Sequence, residues 1–196
     1  MPDRITDDEL LLERAGGGDQ AAFVLLYERY RDLIFRFAFR LLDSAELAED
    51  VTHDCFLSLI KRPAAFDPNR AAFRTYLYAA ARNQALKHFR GQGRETSLDA
   101  LEQEPIGSRR QGPLRRLLDE ELVVKVRQAV ADLPPLQREA LVLFEYEGLS
   151  LSEIAEVVGT DVGAVKSRLH RARGRLRNSL SSYLNTDPEI VTLEQA

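Results

Sequence analysis

The chain has one cysteine and no tryptophan in 196 residues. Cys55 alone cannot form an intramolecular disulfide, which fits a reducing cytoplasm. Cys55 and His53 are two apart and point to different sides of a helix, so a zinc site there lacks its ligands. No apolar run is long enough to span a bilayer, and the N-terminal MPDRITDDELLLERAGGGD lacks a signal-peptide pattern. Internal repeats are absent. So are a catalytic triad, a metal cluster and a phosphate-binding glycine loop: Gly16-Gly17-Gly18 precedes a helix without the Lys-Ser/Thr of a P-loop. These absences point away from an enzyme, with no cofactor and no metal expected, and away from membrane insertion.

Charge of one sign is also missing, in places. No acid occurs from Val162 to Leu180 or from Arg70 to Arg94. The first 54 residues hold thirteen acids against six arginines. The net charge of −4 therefore hides an acidic front and two basic patches. Such a layout suits two DNA contacts and an acidic protein-binding surface.

What is present is helical patterning. Asp7 to Ala15 reads as a short helix stopped by the glycine run. Asp19 caps a helix to about Leu42 with Phe23, Leu26, Tyr30, Leu33, Phe37 and Leu41 on one face. Ser44 opens the next, with Leu47, Val51, Cys55, Phe56, Leu59 and Ile60 inward, ending before Pro63. A helix from Ala71 to Arg90 follows, with Phe73, Leu77, Ala80 and Ala81 inward and Arg74, Tyr78, Arg82, Asn83 and Lys87 outward. The expected fold is all-α: a helical domain over 1–90, a flexible linker over 91–117 and a second helical domain over 118–184. A tail over 185–196 is expected to be disordered. In the second domain Leu122, Val126 and Val130 lead to Leu133-Pro134-Pro135. Leu136, Ala140, Leu143 and Phe144 then form a core face.

Ser150 to Arg177 reads as a helix-turn-helix. Ser150 and Glu153 make a capping box, and Ile154, Ala155 and Val158 face inward. Gly159 suits a turn with positive φ, and Thr160 or Asp161 caps the second helix. Val162, Val165, Leu169, Ala172 and Leu176 line one stripe, with the cations outside it. Such a helix is built to enter the major groove of DNA.

In order, AAFVLLYERYRDLIFRFAFRLL, AELAEDVTHDCFLSLIK, FRTYLYAAARNQALKHFR and the block LPPLQREALVLFEYEGLSLSEIAEVVGTDVGAVKSRLHRARGRLR resemble the extracytoplasmic-function (ECF) group of bacterial sigma factors. The resemblance runs over residues 8–184. It implies a cytoplasmic factor that binds core RNA polymerase, through the β′ clamp and β flap, and gives it promoter specificity. It also implies an anti-sigma partner. On the minus-ten side it implies Phe66, Asp67, Asn69, Arg74, Tyr76, Arg82, Asn83 and Lys87. Cations there hold phosphates, while Asn and aromatic groups engage unstacked bases. Phe66 either stacks on an extruded base or packs under its loop, and Tyr76 stands where many relatives have Trp. On the minus-thirty-five side it implies Lys166, Ser167, His170 and Arg171 toward bases, with Arg168 and Arg173 toward phosphate. Glu46, Glu49, Asp50 and Asp54 are the implied polymerase-docking face. A helix-turn-helix regulator acting without polymerase, or an adaptor that binds only an anti-sigma protein, remains the alternative at this point.

Overall fold

Side-chain caps decide where the helices of the first half begin. In the computed structural model, which describes residues 7–91 and 113–181, α1 spans Asp7–Gly16 and α2 Gln20–Leu42. Asp19 accepts hydrogen bonds from the Ala21 and Ala22 amides at 3.0 and 3.1 Å. Its carboxyl also takes Arg14 Nη2 at 2.6 Å. The Ala22 amide first, and then Arg14, hold that carboxyl below its ordinary pKa. α2 ends where Asp43 turns left-handed, at φ 50°. Ser44 then caps α3, Ala45–Lys61, by accepting from the Leu47 amide. A short 3-10 turn at Pro63–Ala65 leads through a loop to α4, Phe73–Gly91.

These four helices share one apolar core. Leu26, Ile34, Phe37, Val51, Phe56 and Leu77 are its fully buried large residues. Tyr27 meets Phe56 edge-on at 5.0 Å between centroids. Gly16 is needed for the close approach of α1 to the 3-10 turn: a Cβ there would lie 2.6 Å from Pro63 Cγ. Cys55 is buried and its thiol is pushed up to about 12 by desolvation, so it stays a small apolar group.

The second half begins with α5, Pro113–Ala131. This start lies inside the stretch expected to be linker, because a proline fits the first helical turn, where its missing N–H is no loss. Residues 92–112 and the tail beyond residue 181 lie outside the described residues. α6, Pro135–Leu141, also starts on a proline and runs into a π-helical turn at Val142–Tyr146. Gly148, at φ +67°, lets the chain leave that turn. α7, Leu151–Val158, and α8, Val162–Ser179, follow. Ile154, Ala155, Val157 and Val158 of α7 pack with Val165, Leu169 and Ala172 of α8. Among the described residues all regular structure is helical.

Three positions expected inward are exposed: Leu122, Leu136 and Val162. Each sits near a helix start, where the neighbouring turn that would cover it is missing. The opposite correction is Tyr78. Expected on the outer face of α4, it is fully buried, because the second half covers that face.

Candidate nucleic-acid and polymerase interface

α8 is presented by local chemistry. The capping box of α7 is complete: the Glu153 amide donates to Ser150 Oγ at 3.3 Å, and the Ser150 amide donates to Glu153 Oε2 at 2.8 Å. Those bonds hold the Glu153 carboxyl below its ordinary value. Gly159 takes the left-handed turn at φ +66°. Asp161, rather than Thr160, caps α8 by accepting from the Ala164 amide at 2.9 Å. With Val165, Leu169 and Ala172 held in the core, Lys166, Ser167, His170 and Arg171 are left exposed on the other face. Together they line an open hollow of about 350 Å³. A face of two cations, a hydroxyl and an imidazole, free of acids, offers donors to phosphates and to base edges.

The other two cations of α8 named from the sequence turn toward the body of the domain. Arg168 Nη1 donates to Glu139 Oε1 at 3.1 Å, with its side chain 17% exposed. Arg173 donates to Glu145 Oε1 at 2.7 Å and lies over the Phe144 ring. Both tie α8 to α6 and the π turn.

On α4, Arg82 grips Glu139 with two nitrogens, Nε to Oε2 at 2.7 Å and Nη2 to Oε1 at 3.1 Å. Arg74 donates to Tyr78 Oη at 3.2 Å and to the Glu147 carbonyl. Asn83 and Lys87 stay exposed, with Lys87 Nζ on Gln84 Oε1 at 2.6 Å. In the loop before α4, Phe66 is buried, 5.1 Å from the Phe73 ring and 5.4 Å from Tyr76. Of its two roles, packing under the loop is the one this geometry displays. Tyr76 is half-buried as part of that cluster. Asp67 and Asn69 project from the loop and are exposed. The Asn69 amide donates to Asp67 Oδ1 at 3.0 Å, which sets the turn.

Glu46, Glu49, Asp50 and Asp54 are exposed on the outer side of α3, opposite Ala48, Val51, Cys55 and Phe56. One acidic helix face thus lies outside the core and apart from α8's basic face. The functional residues not anticipated from the sequence are Glu139 and Glu147. Both are buried acids, 3% and 7% exposed, facing arginines from the first half. Their signal in the sequence is faint: an acid placed among core positions in REALVLFEYEG.

Family models agree with this architecture. The Sigma-70 region 2 family matches residues 26–95, and the Sigma-70 region 4 family matches residues 124–176. The RNA polymerase sigma-H factor of Pseudomonas aeruginosa is 35% identical over 185 residues, covering 90% of this chain and 95% of its own. The chain belongs to the ECF sigma factors. The ECF RNA polymerase sigma-E factor of Escherichia coli K12 is 34% identical over 192 residues, covering 94% of this chain and 99% of its own. Among solved structures, CnrH in complex with the cytosolic domain of CnrY superposes with a TM-score of 0.64 at 26% identity, covering 93% and 99% of the two chains. The Bartonella quintana sigma factor RpoE, solved with the anti-sigma factor NepR, shares the fold with a TM-score of 0.65 at 23% identity. It covers 81% of this chain and 96% of its own. As an ECF sigma factor, this chain directs promoter-specific transcription initiation. No helix among the described residues is long and apolar enough to cross a membrane.

Proposed function

We propose that this sigma factor divides its work among three surfaces. The α3 face of Glu46, Glu49, Asp50 and Asp54 docks on the clamp of core RNA polymerase, with the helix-turn-helix domain seated at the flap. Acids there steer the chain toward a basic partner and away from free nucleic acid. The start of α8 reads the minus-thirty-five element. Arg171 contacts a guanine edge, and Lys166, Ser167 and His170 contact bases or phosphates beside it. The loop at Asp67 and Asn69, with Asn83, takes unstacked bases of the minus-ten element, while Arg74, Arg82 and Lys87 hold the strand's phosphates. Phe66 and Tyr76 form the aromatic floor of that loop.

The chain performs no covalent chemistry in this scheme. Binding of unstacked bases offsets the cost of opening the duplex, and polymerase supplies the catalysis. Holding both domains on one enzyme makes the second DNA contact effectively intramolecular. The setting is the cytoplasm. An anti-sigma protein is the expected negative regulator, since the relatives CnrH and RpoE were solved with such partners or their domains.

The single observation behind this reading is the acid-free face of Lys166, Ser167, His170 and Arg171, set on a capped helix-turn-helix within a chain that matches both sigma regions. Core polymerase mixed with the purified chain and fragments of its own genome tests it. Discrete transcript starts that require the chain and share two spaced upstream motifs are expected. Operator binding by the chain alone, with no starts, would replace the reading by that of a simple regulator.

A further inference from the structure

Two carboxylates of the second half hold arginines of the first. Glu147 is buried, and each of its side-chain partners comes from across the junction. Arg40 Nη1 donates to Oε1 at 3.1 Å, and Tyr78 Oη donates to Oε2 at 2.5 Å. Its backbone carbonyl takes Arg74. The Arg40 guanidinium also lies 4.6 Å from the centre of the Tyr146 ring. Glu139 takes Arg82 from the first half and Arg168 from its own. Around these, Arg127 of α5 donates to Asp43 Oδ1 at 2.8 and 3.0 Å, and Arg138 donates to the Leu41 carbonyl at 2.6 Å. Desolvation at the junction pulls the Arg138 pKa below the ordinary arginine value, and pushes the Tyr78 hydroxyl above its own.

Arg74 and Arg82 cannot bond these acids and a DNA backbone together. Arg82 has a side chain only 13% exposed and spends both nitrogens on one carboxylate in a fork geometry. We infer that the free chain latches itself shut through Glu147 and Glu139, which act as DNA mimics for α4 and withhold Arg74 and Arg82 from nucleic acid until the halves separate. This inference rests on the reading of α4 as a promoter contact.

The latch has a sharp asymmetry. Glu139 keeps Arg168 after opening, so it also serves its own domain. Glu147 loses every described side-chain partner on opening, so it works only in the closed form. Substitutions at Glu147 and its partners therefore move the closing equilibrium with least damage to either half.

The test uses the full chain with Glu28→Cys and Asn178→Cys, exposed positions on opposite halves, labelled with a donor and an acceptor dye. Buried Cys55 stays unlabelled. Glu147→Gln, Arg40→Gln and Tyr78→Phe are each introduced into this background, with helicity checked by circular dichroism. Tyr78→Phe keeps the ring and removes only the hydroxyl, so it preserves the packing. Energy transfer should fall in all three. Affinity for a dT20 single strand should rise several-fold in all three, with the salt slope steeper by about 1.4 for two newly available cations.

Arg40→Gln removes a positive charge, so a gain of DNA affinity there cannot come from net charge. Unchanged transfer in all three variants overturns the latch. So does a rise for Glu147→Gln paired with a fall for Arg40→Gln. The dT20 probe asks only whether cations become available, so these results are independent of the transcription test of promoter reading.

Discussion

α4 and α8 carry similar chemistry in different settings. Lys166, Ser167, His170 and Arg171 of α8 face solvent, and their placement depends only on α6, α7 and local caps. Arg74 and Arg82 of α4 face the buried acids of the other half. A cation on a helix is therefore a poor guide to availability. What decides is whether a carboxylate elsewhere in the chain has already satisfied it. The same contrast holds within α8, where Arg171 is exposed while Arg168 is spent on Glu139. In a closed chain, the minus-thirty-five face is open and the minus-ten cations are covered.

The largest effect on this contrast is expected at Glu139. Glu139→Ala leaves Arg82 and Arg168 facing each other without their shared acid, at a cost of about 3–5 kcal/mol in urea unfolding. A loss below 1 kcal/mol would mean that the shared carboxylate holds neither helix. Leu169→Ala, which removes a buried anchor of α8, should cost about 2–5 kcal/mol and blur the open face by loosening its helix. Arg171→Ala should leave unfolding within about 0.5 kcal/mol of the parent. It should cost about 1–3 kcal/mol in minus-thirty-five binding by holoenzyme and relax selectivity at one base pair. Unaltered selectivity would take Arg171 out of direct readout. Asp161→Ala removes the α8 cap and should lower stability by about 1 kcal/mol.

The smallest effect concerns pH. The Glu153 carboxyl titrates below its usual 4.5 in the folded chain. Its contribution is complete above that value and is lost as pH falls through the lowered pKa. Acid unfolding of Ser150→Ala should lack that part of the profile. An identical profile would show that the capping box carries none of it.

Local features were legible in the sequence. The Ser150–Glu153 box, the Gly159 turn, the Asp19 and Ser44 caps and the Val165–Leu169–Ala172 stripe depend on neighbours three or four residues away. The order of helices followed from the same signals. The junction did not show. Tyr78 meets Glu147 across 69 positions of sequence, and no helical period can announce a partner that distant. The π turn at Val142–Tyr146 escaped for a related reason: its apolar residues fit an ordinary helix equally well. Gly112-Pro113 looks like a breaker, yet Pro113 starts α5. At the site, the exposed residues of α8 and the acids of α3 could be named from pattern alone. Which arginines were already paired could not.

The central claim is that α4 and α8 read separate promoter elements once polymerase holds them. Transcription from a randomised promoter library, with transcripts sequenced for the parent chain, Asn83→Ala and Arg171→Ala, tests it most directly. The account predicts relaxed preference confined to the minus-ten element for Asn83→Ala and to the minus-thirty-five element for Arg171→Ala. Relaxation of the same element by both variants, or of neither, would contradict it.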